Sequence, residues 1–215
     1  MRCLIITGGR IDIDFTAEFL KNRTYDFVIG ADAGLQAMRA LGLRPDELVG
    51  DFDTVDPSHV EYFRKDRGIA FDIHRPEKDE TDTELALRDA ERAGCTEADI
   101  LGALGGRIDH ELANIQLLLL YRNRGMRVFL YDRQNRIHIA ESGETFSREN
   151  AWGKYISFIP LSPEVRDVTL SGFKYPLDKR LVTMGSSLCV SNEISAERAE
   201  VTFSGGDLLC VEAHD

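Results

Sequence analysis

No run of this sequence approaches the roughly 18 consecutive apolar residues of a membrane-crossing helix. The opening Met1-Arg2-Cys3-Leu4-Ile5-Ile6-Thr7 is too short for the hydrophobic segment of a secretion signal. No membrane partner is expected, and the cytoplasm is the expected location. Cysteine is scarce: Cys3, Cys95, Cys189 and Cys210 are scattered, with no C-x-x-C pair and no histidine at zinc-ligand spacing. They read as small buried apolar residues. Basic residues are in deficit, with 26 Lys+Arg against 37 Asp+Glu and a formal net charge of -11. Such a balance repels the backbone of DNA or RNA, so no nucleic-acid partner is expected. Two nucleotide signatures are missing, G-x-x-x-x-G-K-[ST] and a G-x-G-x-x-G in a first βαβ unit, which weakens P-loop and NAD-type readings. Internal repeats, low-complexity runs and long flexible linkers are also lacking.

What is present is a chain of 215 residues, 43% hydrophobic and 29% charged, enough to bury a sizeable core in one or two domains. Short β-rich runs at Cys3–Thr7, Phe27–Gly30, Glu47–Val49, Ile69–Ile73, Ile100–Leu104 and Arg127–Leu130 alternate with helical patterns at Phe15–Lys21, Leu35–Leu41, His59–Lys65, Thr83–Arg92 and Glu111–Tyr121. That alternation predicts an α/β domain with a mostly parallel, Rossmann-like sheet flanked by helices. After about Tyr131 the runs Arg136–Ala140, Tyr155–Ile159, Arg166–Leu170, Leu188–Ser191, Ala199–Phe203 and Leu208–Val211 are separated by Gly, Pro, Ser or Asn. They predict a C-terminal antiparallel β-sandwich. The domains are therefore expected at 1–131 and 132–215.

Ligands of open α/β sheets bind at the carboxyl ends of the strands, and three segments fall there. In Val49-Gly50-Asp51-Phe52-Asp53-Thr54, alternate residues of an extended chain face the same way, so Asp51 and Asp53 can converge on a hard cation such as magnesium. An Asx-turn that bonds nearby backbone N–H groups fits the same residues. In Glu77-Lys78-Asp79-Glu80-Thr81-Asp82-Thr83-Glu84, Thr81 and Glu84 fit a capping box and acidic residues suit a helix start. That does not explain the crowding of Lys78, Asp79 and Glu80. Asp79 or Asp82 could share the cation of Asp51 and Asp53, with Lys78 as a point charge on phosphate. The third segment runs Leu101-Gly102-Ala103-Leu104-Gly105-Gly106-Arg107-Ile108-Asp109-His110-Glu111, with Asn114 beyond. It reads as strand, glycine turn and helix. Gly105 and Gly106 would let backbone N–H groups approach phosphate, and Arg107 would meet developing charge. A tight turn carrying a surface arginine fits as well. His110 and Asn114 share a helix face, either toward the ligand or as packed polar residues.

Together Gly30-Ala31-Asp32-Ala33-Gly34, the Asp51–Asp53 segment, Lys78 through Glu84 and Gly105 through His110 resemble, in order, the thiamine pyrophosphokinase family. The resemblance continues through Ser171-Gly172-Phe173-Lys174-Tyr175-Pro176-Leu177 and Ser191-Asn192-Glu193, and so covers nearly the whole chain. It implies transfer of diphosphate from ATP to thiamine with magnesium, giving thiamine diphosphate and AMP. It also implies a homodimer with sites between subunits, ATP and magnesium on the first domain and thiamine on the second domain of the partner. By motif position, Asp51, Asp53, Asp79 and Asp82 are the implied catalytic magnesium set. Arg107 is a phosphate contact and Asp109 a catalytic or substrate contact. Asp32 and Gly34 border the nucleotide cleft, with Lys78, Gly105 and Gly106 on the nucleotide. Ser191 and Asn192 match the thiamine side, and Tyr175 offers an aromatic face to the cationic vitamin. The competing readings are diphosphoryl transfer to another small alcohol, such as a pterin, and a non-catalytic thiamine- or nucleotide-binding regulator.

Overall fold

Four consecutive buried residues in β1 (Arg2–Ile6) mark a strand covered on both faces. A computed structural model describes residues 1–53, 55–75 and 79–215. The chain divides into two compact units, Met1–Arg133 and Gln134–Asp215.

In the first unit β1 is followed by α1 (Ile13–Leu20), β2 (Phe27–Ala31), α2 (Gly34–Leu41), β3 (Glu47–Gly50) and α3 (Pro57–Arg64). Then come β4 (Ala70–Ile73), α4 (Asp82–Arg92), β5 (Glu97–Leu101), α5 (Ile108–Asn123) and β6 (Arg127–Tyr131). The six strands are parallel in the order β6-β5-β1-β2-β3-β4. The chain thus winds outward from β1 through β4, then returns to place β5 on the other side of β1. That reversal opens a crevice between the carboxyl ends of β1 and β5.

Local chemistry sets the helix starts. Asp12 accepts the Phe15 N–H at 2.9 Å to cap α1, and Asp56 accepts the Ser58 N–H at 2.8 Å ahead of Pro57 to start α3. Thr81 Oγ1 accepts the Glu84 N–H at 3.2 Å, one half of the expected capping box on α4. α5 starts three residues earlier than its apolar pattern predicts, because Ile108 is exposed and no side chain caps the helix.

β5 also departs from expectation: it occupies Glu97–Leu101, and the chain bends from Gly102 onward. The buried carboxylate of Asp99 hid this strand in the sequence. It is tolerated because Arg2 Nη2 and Tyr25 Oη each reach its Oδ2 at 2.7 Å. Burial raises the Asp99 carboxyl above its usual range, against the pull of Tyr25 and Arg2.

The second unit is antiparallel. Its strands are β7 (Asn135–Ile139), β8 (Glu144–Phe146), β9 (Tyr155–Pro160), β10 (Glu164–Ser171), β11 (Leu177–Thr183), β12 (Asn192–Glu193), β13 (Ala199–Thr202) and β14 (Leu208–Ala213). They form two layers, β12-β9-β14-β7 and β11-β10-β13-β8. Between them lies an apolar core in which the rings of Phe146, Phe158 and Phe173 meet at centroid distances of 5.7 to 6.0 Å. Parallel sheet with helices followed by sandwich is the expected fold class. The predicted strand at Leu188–Ser191 is instead a turn, with Leu188 and Val190 exposed and Ser191 at a left-handed φ of 57° that a strand does not admit. β8, β11 and β12 went unread, β11 because Val182 is its only buried residue.

All four cysteines are buried and none forms a disulfide. Among the described residues no helix is long and apolar enough to cross a membrane.

Candidate active site

The crevice at the β1/β5 reversal is a cleft of about 600 Å³ built wholly within the first unit. The loops after β1, β2, β3 and β5 and the first turns of α4 and α5 line it. Close backbone packing holds these loops in place. A Cβ on Gly9 would stand 2.0 Å from the Gly102 carbonyl oxygen, so only glycine lets the loops after β1 and β5 touch. Thr7 ties the same pair, its N–H donating to Leu101 O at 2.9 Å.

Acid gathers on one side of the cleft. Asp32 follows β2 at a left-handed φ of 45°, and its N–H donates to Val49 O at 3.0 Å, which joins the loops after β2 and β3. Asp51, Asp79 and Asp82 line the cleft with it. Burial raises the Asp32 carboxyl; the Ala33 N–H opposes this, and the charges of Asp82, Asp51 and Asp53 reinforce it. Asp32 thus lies in a field of neighbouring carboxylates that a divalent cation would relieve. Asp51 Oδ1 also accepts the Asp53 N–H at 3.1 Å, so the Asx-turn exists alongside the cleft-facing carboxylate.

The opposite side carries donors. Gly106 and Arg107 line the cleft, with His110, Glu111 and Asn114 from α5. The Gly106 N–H already serves an anion, the Glu111 carboxylate, at 2.6 Å. Asn114 is buried, and its Nδ2 donates to Ala103 O at 2.9 Å, fixing the turn after β5. Asp109 grips the Arg107 guanidinium through two contacts, Nε to Oδ1 at 3.1 Å and Nη2 to Oδ2 at 2.6 Å. Those hydrogen bonds lower the Asp109 carboxyl below its usual range.

Of the residues the resemblance assigns to the site, six therefore line one cleft, Asp32, Asp51, Asp79, Asp82, Gly106 and Arg107, and His110 and Asn114 join them. Asp53, Gly105 and Asp109 flank it without lining it. Gly34 is buried at the start of α2, where a Cβ would meet Ile6 O at 2.2 Å. Lys78 lies outside the described residues, as does Thr54. The walls from Thr7 to Gly9 went unread, although a Gly-Gly pair directly after the first strand was a usable signal.

In the second unit Tyr175 and Asn192 are joined. Asn192 is buried, its Oδ1 accepts the N–H groups of Tyr175 at 2.9 Å and Glu193 at 3.0 Å, and its Nδ2 donates to Tyr175 O at 2.8 Å. The Tyr175 ring stays exposed, with Lys174 Nζ 5.5 Å from its centroid. Ser191 is exposed, and its N–H donates to Ser157 Oγ at 2.9 Å.

Carboxylates that draw in a divalent cation, facing a glycine turn and an arginine, are the working parts of a nucleotide-dependent phosphotransferase, and this architecture points to that class. Residues 19–130 match the catalytic domain of thiamin pyrophosphokinase, and residues 134–208 match its vitamin B1 binding domain. A thiamine pyrophosphokinase of Bacillus subtilis is 37% identical over 187 residues, covering 87% of each chain. The crystal structure of a thiamine pyrophosphokinase from Bacillus subtilis superposes with a TM-score of 0.88 at 33% identity, covering both chains completely. A rice thiamine pyrophosphokinase is 29% identical, covering 77% of this chain and 65% of its own. The chain belongs to the thiamin pyrophosphokinase family.

Proposed function

We propose that this chain transfers the diphosphate of ATP to the hydroxyethyl oxygen of thiamine, releasing thiamine diphosphate and AMP. The observation that carries the reading is the meeting, at one switch point, of an aspartate cluster with the Gly106–Arg107 turn. The family's two domain types, in order along the chain, support it.

The donor set fits magnesium, which takes oxygen ligands and is content with a few carboxylates plus substrate phosphate. Asp51, Asp53, Asp79 and Asp82 would hold it, and the bound ion would neutralise charge on the diphosphate. Arg107 meets phosphate oxygens, and the Gly106 N–H donates to one once Glu111 swings aside. Asp32 and Gly34 border the nucleotide, with Lys78 and Gly105 completing its phosphate contacts. Thiamine oxygen attacks the β-phosphorus in line, and because such transition states are loose, alignment contributes more than early deprotonation of the alcohol. Asp109, its carboxyl lowered by Arg107, is a poor proton acceptor and serves to aim the guanidinium.

On the second unit, the exposed face of Tyr175 stacks on the cationic vitamin and Asn192 fixes that ring's backbone, with Ser191 beside it. We assign residues 1–131 to nucleotide and metal and 132–215 to thiamine. A homodimer is supported by apolar residues left exposed: Ile108 and Leu112, one turn apart on α5, and Leu181 and Met184 in the second unit. Placement in the cytoplasm is supported by four unpaired thiols.

The test is incubation of the purified protein with thiamine and ATP, with and without magnesium, quantifying AMP, ADP and thiamine diphosphate separately. Equal magnesium-dependent yields of AMP and thiamine diphosphate are expected. ADP with thiamine monophosphate, or no product from thiamine, would refute the reading.

A further inference from the structure

Away from the cleft, a second group of carboxylates converges in the first unit. Glu47 opens β3, Asp72 lies in β4 and Asp89 sits on α4; one oxygen from each lies within 4.8 Å of the others. Glu47 and Asp51 stand at opposite ends of β3, about 13 Å apart at roughly 3.3 Å per residue. Asp89 follows Asp82 by about 10 Å along α4. The two acidic groups are therefore separate places on shared elements.

Asp89 distinguishes this group from a chance cluster of surface acid. It is only 5% exposed. Its Oδ1 receives Arg92 Nη1 at 3.2 Å and has Arg88 Nε at 4.0 Å, while its buried Oδ2 has no hydrogen-bond donor among the described residues. A buried carboxylate oxygen without a donor is costly, and such a group in a native fold calls for an explanation. Asp72 uses Oδ2 for His74 Nε2 at 2.8 Å, which leaves its other oxygen available. Glu47 and Asp72 are each partly exposed, so a hydrated ion can enter and keep some of its water. Burial and mutual repulsion raise the carboxyls of Glu47 and Asp89, with Arg92 opposing in both cases.

We propose that Glu47, Asp72 and Asp89 form a second divalent-cation site that takes a calcium-sized ion. Ligand number selects the ion: three protein carboxylates from three elements suit calcium, which takes about six to eight oxygens in flexible geometry, whereas magnesium dehydrates reluctantly and is usually held by one or two carboxylates plus phosphate. Bound there, the ion ties α4 to β3 and β4 behind the cleft and supplies the Asp89 oxygen with the positive partner it lacks.

The test is calorimetric titration of the chelator-treated full chain with calcium chloride, in an Asp51→Asn/Asp53→Asn/Asp79→Asn/Asp82→Asn background that removes the carboxylates assigned to the cleft's own cation. One calcium per chain is expected, with magnesium at least tenfold weaker. Adding Glu47→Gln or Asp72→Asn, both at partly exposed positions that leave the core intact, should weaken calcium at least tenfold. Thermal melting should show calcium raising the midpoint of the background protein and not of these variants. No calcium uptake in the background protein, unchanged uptake after Glu47→Gln, or magnesium binding as tightly as calcium would overturn the proposal. None of these outcomes depends on catalysis, so the site stands or falls separately from the proposed reaction.

Discussion

Gly9→Ala places the smallest possible side chain where the cleft has no room for one. The new Cβ would lie 2.0 Å from the Gly102 carbonyl oxygen, and contacts below 3.0 Å essentially do not occur, so the loops after β1 and β5 must part by about 1 Å. Gly102 cannot easily yield: its φ of 84° already commits it to a left-handed conformation, and Thr7 O stands 2.6 Å from its own Cβ position. Overpacking of this kind costs about 1–3 kcal/mol, which for a chain of this size lowers the melting midpoint by roughly 2–4 °C per kcal/mol. The loss of activity should be larger. The two loops are opposite walls of the cleft, and a misplacement of about 1 Å lowers turnover on the order of a hundredfold. Gly205→Ala, in the second unit, is the matched control, since no heavy atom of the described residues lies within 4 Å of its Cβ position. Steady-state production of AMP and thiamine diphosphate, with melting curves for each variant, measures both effects. Gly9→Ala retaining wild-type turnover and an unchanged midpoint would refute the claim that this contact shapes the cleft.

Asp51→Asn and Asp53→Asn should each lose at least about a hundredfold in turnover while melting no lower than wild type without divalent ions, because each removes a charge that repels Asp32. Near-wild-type AMP release in both would sink the metal assignment. Asn192→Ala strands the Tyr175 and Glu193 N–H groups and the Tyr175 carbonyl. It should cost about 2–3 kcal/mol and raise KM for thiamine more than KM for ATP; equal changes in both would contradict a thiamine-side role. The raised carboxyls of Asp32, Glu47, Asp89 and Asp99 bind protons more tightly in the folded chain. Their contribution is therefore fully present below the ordinary carboxylate range and is lost as pH rises through their raised values. In chelator, Glu47→Gln should accordingly raise the midpoint at neutral pH and leave it unchanged near pH 4; the reverse pattern would invert the sign of this linkage.

Much of the first unit was legible because its signals are local. Thr81 three residues before Glu84 marks a helix start in any context, and β1 is apolar enough to read as a buried strand alone. The failures have a common cause in contacts made far along the chain. Asp99 reads as loop until Arg2 and Tyr25, 97 and 74 residues away, come to hold it. Leu188 and Val190 read as strand because three apolar residues run together at 188–190, yet both are exposed in a turn. Asp51, Asp79 and Asp82 of the cleft were read through acidic pairs within short segments, and Asp32 only through the family resemblance. Its glycine wall was not, because the role of Gly9 exists only once β5 lies beside β1 rather than beside β4, and strand order is a property of the whole sheet.

The electrostatics of the first unit follow from one arrangement. Parallel strands bring every following loop to the same edge, so an aspartate after β2, another after β3 and two before and within the first turn of α4 are forced into each other's fields. The chain accepts this repulsion at the end of the sheet where ligands bind, and the raised carboxyl of Asp32 records it. On the proposed reading a divalent cation would reverse the sign of that interaction: charges that repel in the ion-free cleft would become ligands for the ion and, through it, for an anionic nucleotide. An acidic protein would thereby bind a polyanion despite its net negative charge, and affinity for ATP should rise and fall with the free divalent concentration rather than with bulk ionic strength. Nucleotide binding measured at fixed ionic strength, with sodium exchanged for magnesium, separates the two. Affinity that tracked total salt alone would mean that Arg107 and the Gly106 turn hold the phosphates without the aspartates.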